Sequence, residues 1–406
     1  MSIAGFPYPF VTGGAAYRSK VLVPSEEMEA RNSREPDSHT NLIGPDSGSG
    51  SGSGSGGAAP IMVTAAELGA PFLRLRGISS AHLPSSTGPR EEMIPFLTAL
   101  LRESVPFIDS VAPKESNRPQ PTTDLGTARS EWKPLKTKSS KVDNDGSTVV
   151  SLCERTLSAP ELRVIERSAG MATSNTDDSE TWACRRSVHR DSNAPGDGSA
   201  SWGEFVTCFK DKHVECEEAF TPSIVGTRVL RDYDVAGLQV DDEHGDRYGS
   251  FTMKVVEARH KIGVKPLLKD RAFTVLQVTC SLLPREGEST ADVESKSEDS
   301  NEILVINIPV SDVENLATGT PAKEDPFRKD TVKGSFVSVE RIRKLPTTEN
   351  DRQAQIEWIM ATASDARGSL PGWVQTMAVP GQIAKDVTLF LGWVAKEREN
   401  KGGLVA

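Results

Sequence analysis

The sequence predicts an α+β fold, a run of antiparallel strands closed by one long C-terminal helix. Three observations lead there. About six strand-like segments follow one another between 227 and 363 with no helical period among them. Helical patterns lie only before and after that run. Residues 371–398 place Ile383, Val387, Phe390, Leu391 and Val394 on one helical face. Strands segregated from helices imply antiparallel pairing, because parallel neighbours need a crossover between them. A sheet of this kind, covered on one face by a helix, can curve until that helix closes a cavity.

Composition bounds the size of this body. Of 406 residues, 36% are hydrophobic and 6% aromatic, and Gly (33) and Pro (26) are plentiful. Such values leave about a third of the chain as linker or disordered tail, and one core of roughly 200–250 residues. The net charge of −10 argues against a nucleic-acid partner, which needs a basic face to neutralise phosphates. Half of that charge falls in 285–302, where seven acidic residues stand against Arg285 and Lys296. This stretch reads as a disordered, solvated acidic loop, with an acidic docking tail as the alternative. No apolar run reaches the ~18–20 residues of a membrane helix, and the N-terminus lacks the layout of a secretory signal. Five dispersed cysteines and the lack of any N-x-Ser/Thr sequon predict a reduced, cytoplasmic protein.

Along the chain, residues 1–61 read as a disordered tail ending in a Ser-Gly linker. The tail holds a formal G-x-G-x-x-G match (Gly52, Gly54, Gly57), but no strand precedes it and no helix follows, so it is not read as a nucleotide site. Residues 62–111 form an N-terminal helical segment, with Met93, Phe96, Leu97, Leu100, Leu101 and Ile108 as its apolar stripe. Pro106 is expected to end or kink that helix. Residues 112–147 revert to polar linker, and the main domain runs from 148 to 398, with 399–406 as a tail. Within it, Thr148–Arg155 and Trp182–His189 read as strands. Ser158 with Glu161 and Ser201 with Glu204 read as capping boxes that open helices. Trp202, Phe205, Phe209, Cys216 and Phe220 continue a helical stripe. Strands are expected at about 227–240, 249–260, 271–283, 302–310, 334–345 and 354–363. Pro380-Gly381 is expected to break or kink the start of the last helix.

The motifs exclude more chemistry than they support. No G-x-S-x-G, H-E-x-x-H, G-x-x-x-x-G-K-Ser/Thr or C-x-x-C occurs. Cys208, His213 and Cys216 have zinc-like spacing, but Cys208 falls on a different arc of the expected helix and no fourth ligand is near, so core packing is the reading and no metal or other cofactor is assigned. Asp241-Asp242 sits in a hairpin turn. Of Arg185 and Arg186 on their strand, one faces inward and needs a carboxylate or an anionic ligand, since a lone buried guanidinium is expensive. Asp270-Arg271 is placed to pin the start of a strand.

Several segments together resemble a known family. Trp182–His189, Ser201–Asp211, Phe251–His260, Lys269–Phe273, Ile356–Gly368 and Trp373–Val387 resemble a fungal START-like family labelled only as a domain of unknown function. The Asp270–Phe273 turn, and the turn Asp365, Gly368, Pro371 before the terminal helix, are similar to those of the wider lipid-transfer START domains. The resemblance implies a helix-grip fold of the START/Bet v 1-like superfamily, a curved antiparallel sheet wrapped around the terminal helix and enclosing an apolar tunnel.

What this implies is a non-catalytic carrier or sensor of one hydrophobic small molecule: a lipid, sterol or fungal metabolite. Intracellular transfer with transient membrane contact is part of the same expectation, and the oligomeric state stays open. Candidate ligand-contacting residues are Phe251, Met253, Phe273, Trp358, Met360, Met377 and Phe390, each of which also fits core packing, with Arg186 and His260 as polar contacts for a head group. Two alternatives stand beside it. One is an enzyme of the same fold acting on a hydrophobic metabolite, for which the sequence shows no catalytic constellation. The other is a scaffold working through its disordered arms.

Overall fold

The computed structural model describes residues 71–111, 132–135, 138–140, 148–168, 179–194, 198–262, 269–284, 300–312, 325, 327–346, 354–368 and 372–402. The expected tail 1–61, most of the loop 285–302 and residues 403–406 of the expected tail 399–406 lie outside these residues, whereas 399–402 belong to the last helix.

The strands are β1 (Lys133–Pro134), β2 (Lys138–Ser140), β3 (Thr148–Leu157), β4 (Glu180–Arg190), β5 (Ile224–Asp232), β6 (Val240–Asp241), β7 (Arg247–His260), β8 (Asp270–Leu282), β9 (Glu302–Pro309), β10 (Thr331–Lys333), β11 (Ser335–Leu345) and β12 (Gln355–Asp365). The helices are α1 (Ile94–Val111), α2 (Ala159–Ser168), α3 (Trp202–Val206), α4 (His213–Phe220) and α5 (Gly372–Gly402). The strands form one sheet in the order β1-β3-β4-β12-β11-β9-β8-β7-β5. Its pairs are antiparallel except for the short β10 against β8. The last strand, β12, pairs with β4, so an early and a late strand are neighbours in the sheet.

Alternation along each strand divides the apolar residues between two faces, as a pleated sheet requires. On β9, Leu304, Ile306 and Ile308 join one core while Ile303 and Val305 join the other. The first core is covered by α1 and the segment before it, through Phe72, Phe96, Leu97, Leu100, Leu101 and Ile108. The second is covered by α3, α4 and α5, through Phe205, Phe220, Val387, Phe390 and Leu391. The terminal helix thus lies across one face of the curved antiparallel sheet, the helix-grip arrangement. Every strand expected between 249 and 363 is present, with ends shifted by a few residues.

Local chemistry sets several element ends. At α3, Ser201 accepts from the Glu204 backbone N–H, and Glu204 accepts from the Ser201 N–H at 2.7 Å, a complete capping box. At α2, Glu161 accepts from the N–H and Oγ of Ser158 at 2.7 and 2.6 Å. The Asp241–Gly249 turn is tied by Asp242, which accepts from the N–H groups of His244 and Asp246, each at 2.8 Å. Arg271 holds the turn between β12 and α5 by donating to the carbonyls of Ala366 (2.6 Å) and Arg367 (3.1 Å).

Three expectations differ from the structure, and two helices expected to end or kink at a proline do not end there. Helix α5 runs through Pro380, and α1 runs through Pro106. Each proline removes one N–H, but the packed faces on either side hold the helix together. The stretch 112–147, expected as linker, supplies β1 and β2 to the sheet edge beside β3. The 227–240 strand ends at Asp232 and resumes only as the two-residue β6. The stripe from Trp202 to Phe220 is interrupted by a π turn at Thr207–Asp211. The chain breaks at Lys212, so Cys208 and Cys216 lie on two successive helical segments, close enough to interact.

Candidate functional site

The layer between α5 and the sheet holds charged and polar groups inside an aromatic shell. They come from strand positions that share one face. On β4, Ala183 and Arg185 alternate inward with Ser187 and His189, all buried. The cross-strand register sets Arg185 opposite Met360, and Met360 opposite Glu340, so the row reads Arg185, Met360, Glu340 across β4, β12 and β11. Arg185 is 1% exposed and reaches over Met360 to Glu340, its Nη2 3.5 Å from Oε2. Its guanidinium lies over the Trp358 ring at 3.7 Å, and the Trp358 Nε1 donates to the same Glu340 oxygen at 2.8 Å. One carboxylate therefore serves a cation and an indole, and the cation in turn rests on that indole.

The shell around this pair is aromatic. Phe205, Phe209, Phe390 and Trp358 meet one another at centroid distances of 4.8–5.8 Å. Phe220 closes on Phe390 at 5.7 Å. The residues reach one point because α3, the π turn and α4 fold over the sheet directly beneath α5.

Two further acids enter from the covering helices. Asp386 lies on α5 within the apolar stripe, three residues after Ile383 and four before Phe390, and Glu217 lies on α4. Burial pushes the Asp386 carboxyl up to about 7, offset in part by Arg185, with Glu340 and Glu217 adding to the rise. Burial also raises Glu217. Both side chains nevertheless keep partial exposure, as does Met360.

Donors and acceptors in this layer are incompletely paired. Among the described residues, Arg185 Nε and Nη1 have no hydrogen-bond partner, nor do the Nδ1 atoms of His189 and His213. His189 Nε2 shares a 2.8 Å hydrogen bond with Ser187 Oγ, and burial, then the Arg185 charge, lowers its pKa to about 3. His189 is thus neutral at ordinary pH. Among the described residues no group of three His, Cys, Asp or Glu side chains is placed to hold a metal ion. No helix among them is long and apolar enough to cross a membrane.

The nine residues singled out from the sequence separate in space. Trp358 and Phe390 are at the centre of this layer and Met360 borders it. Phe273 and His260 meet each other at 5.2 Å, with Phe336 on Phe273, and burial lowers the His260 pKa to about 4. Phe251 and Met253 belong with Val255 to the core under α1, on the opposite face of the sheet. Arg186 points away as well and pairs with Glu357 at 2.6 Å, leaving Arg185 as the inward guanidinium. Met377 lies in α5, with its side chain outside the described residues.

Sequence reasoning missed Arg185 as the chosen member of its pair, and missed Glu340, Glu217, Asp386 and His189. Asp386 carried a signal, an acid inside an otherwise apolar helical stripe. Glu340 carried a weaker one, an acid in the alternating run Val337–Ile342.

Among curated proteins, none matches this chain. Solved structures similar to it include human StAR-related lipid transfer protein 5, at 12% identity and a TM-score of 0.38, covering 77% of this chain and 99% of that one. The crystal structure of human STARD10 is similar at 15% identity and a TM-score of 0.36, covering 67% of this chain and 76% of its own. The human StarD13 (DLC2) lipid transfer and protein localization domain is similar at 12% identity and a TM-score of 0.33, covering 65% and 90%. The family described as "Protein of unknown function (DUF3074)" matches residues 182–394, from the strand bearing Arg185 to the last apolar turn of α5. That span is just over half of the 406 residues, and the chain belongs to this DUF3074 family.

Proposed function

We propose that the layer between α5 and the sheet binds one hydrophobic molecule with a hydrogen-bonding end, a lipid, a sterol or another apolar metabolite, without transforming it. The observation that carries this reading is Arg185, 1% exposed, with two guanidinium nitrogens unpartnered. A buried donor left without an acceptor is costly, and a ligand oxygen would relieve that cost. The apolar body of such a ligand would lie against Phe205, Phe209, Trp358 and Phe390, gaining about 25 cal/mol per Å² removed from water. Asp386, raised to about 7, and Glu217, raised by burial, would meet the ligand's polar end as donors or as acceptors.

The experiment is native mass spectrometry of the purified protein, followed by organic extraction and by uptake from liposomes. The expected result is one bound mass per chain, lost in Arg185→Met and in Phe390→Glu. A chain that is empty and takes up nothing from liposomes overturns the reading.

A second reading is favoured by one observation, the Asp386 carboxyl at about 7, where a general acid–base works best at neutral pH. In that case the bound molecule would leave chemically changed. Asp386→Asn would then abolish turnover of the extracted ligand, a loss far larger than any weakening of its binding.

A further inference from the structure

Four of the five cysteines stand in two pairs. Cys208 and Cys216 are joined by a hydrogen bond beneath α5, and both are buried. Cys153 and Cys184 face each other directly across β3 and β4, register partners in an antiparallel ladder. Opposed residues of such a ladder carry Cβ atoms about 4.5–5.5 Å apart on one face, close to the spacing a disulfide needs. All five cysteines are free thiols in this structure.

The two members of the β3–β4 pair differ in the way a peroxide-reactive dithiol requires. Cys153 is only partly buried, whereas Cys184 is 1% exposed. The Cys184 thiol donates to the Arg185 carbonyl at 3.5 Å; its closeness holds Cys153 below the ordinary thiol range, while burial pushes Cys184 well above it. One sulfur is thus accessible and inclined to ionise, and the other stays protonated behind it.

We propose that Cys153 and Cys184 form a redox modification site, in which a hydroperoxide oxidises Cys153 and Cys184 resolves it to a cross-strand disulfide. The Cys153 thiolate attacks the outer oxygen of the hydroperoxide. An S–O bond forms, the O–O bond breaks, and the departing alkoxide or hydroxide takes up a proton. The Cys184 sulfur then attacks the Cys153 sulfenic acid. An S–S bond forms, the S–O bond breaks, and hydroxide leaves as water with the Cys184 proton. Two thiols lose two electrons and the peroxide gains them. The product ties β3 to β4 one residue before Arg185, so oxidation state and the layer under α5 share a strand. This inference does not depend on any ligand being bound.

The test treats the reduced full-length chain with a few equivalents of hydrogen peroxide, alkylates the remaining thiols and maps peptides without reduction. The expected product has lost two hydrogens, contains a linked peptide joining Cys153 to Cys184, shows three alkylatable cysteines in place of five, and reverts with dithiothreitol. In Cys184→Ser, dimedone should trap a sulfenic acid at Cys153. In Cys153→Ser, Cys184 should remain a thiol under the same dose. Oxidation that links Cys208 to Cys216 first, or that carries Cys153 to sulfinic acid with no linked peptide in the native chain, overturns the proposal.

Discussion

At the scale of the residue, the energetics of the α5 layer turn on one carboxylate. Removing it in Glu340→Ala leaves Arg185, 1% exposed, without its ion-pair carboxylate and deprives the Trp358 indole of its acceptor. The expected loss is roughly 3–5 kcal/mol, because an unpaired buried charge costs more than the pair contributes. Urea unfolding at pH 7 reads it, and Glu340→Gln, which keeps an acceptor for the indole, should lose less. Asp386 sets a pH dependence of definite sign. Its carboxyl is raised from 3.8 to about 7, so the folded chain retains a proton that the unfolded chain has released. Stability is therefore greatest below about pH 4 at this site, falls as the pH rises to about 7, and then levels. Asp386→Asn should flatten much of that decline and be the more stable protein at pH 8. About 1.4 kcal/mol per pH unit, halved for the carboxyl's partial exposure, puts the gain at roughly 2 kcal/mol. Denaturant midpoints at pH 5 and pH 8 check it, and a wild-type advantage at pH 8 would sink the assignment. His189 and His260, lowered to about 3 and about 4, act in the opposite sense and withdraw stability as the pH falls below 6.5. Part of this site was legible in the sequence. Arginine on an alternating strand demands an inward partner, and Trp358 and Phe390 announce themselves by size and position. Which of Arg185 and Arg186 turned inward, and that Glu340 met it, depended on the register of β4, β12 and β11, which no local pattern encodes.

At the scale of the element, alternation and capping made the sheet and the starts of α2 and α3 readable, since each follows from contacts within a few residues. The π turn was not readable, because one extra residue leaves the apolar composition of the stripe unchanged. Pro380 misled for a related reason. The rule against proline inside a helix is a local one, and the packing of Ile383, Val387, Phe390 and Leu391 outweighs one missing hydrogen bond. The segment before α1 was also opaque, since its order comes from a distant strand. There Ile78 donates its N–H to the Pro309 carbonyl at 2.9 Å, and the Ser311 N–H donates to Ile78 at 2.9 Å. Gly77 makes this approach possible, with φ at +67° and a position where a Cβ would stand 2.0 Å from the Pro309 oxygen. Gly77→Ala therefore combines left-handed strain with a backbone clash and should cost at least roughly 2 kcal/mol. Gly237→Ala is the control, since its φ of +76° brings the same strain with nothing within 4 Å, and it should cost about 1 kcal/mol. Equal melting temperatures for the two variants would mean that the clasp onto β9 contributes nothing.

At the scale of the whole molecule, the sheet has two apolar faces and needs both covers. The family match begins at residue 182, inside β4, and therefore contains the α5 face with most of its cover. It omits α1, the segment before it, β1, β2, β3 and α2. Those omitted parts supply Phe72, Phe96, Leu97, Leu100, Leu101 and Ile108 to the opposite core, along with Val150 and Leu152 beneath α5. They also supply Asp109, which pairs with the buried Arg341 of β11, and Glu166, which pairs with Arg74 at 3.5 Å within the same layer. A chain cut to 182–394 would bare Leu276, Val278, Ile306, Val337 and Val339 to water and leave β4 as an unpaired edge. The expected behaviour of that fragment is aggregation on purification, whereas a chain spanning 71–402 should run as a folded species with a cooperative thermal transition. Size-exclusion chromatography and circular dichroism of the two chains distinguish these outcomes. A soluble 182–394 fragment with native-like cooperativity would show that the α1 layer is an attachment. Failure of that fragment alone would show that the folding unit is larger than the family span, and that ligand-binding and redox experiments belong on the longer chain.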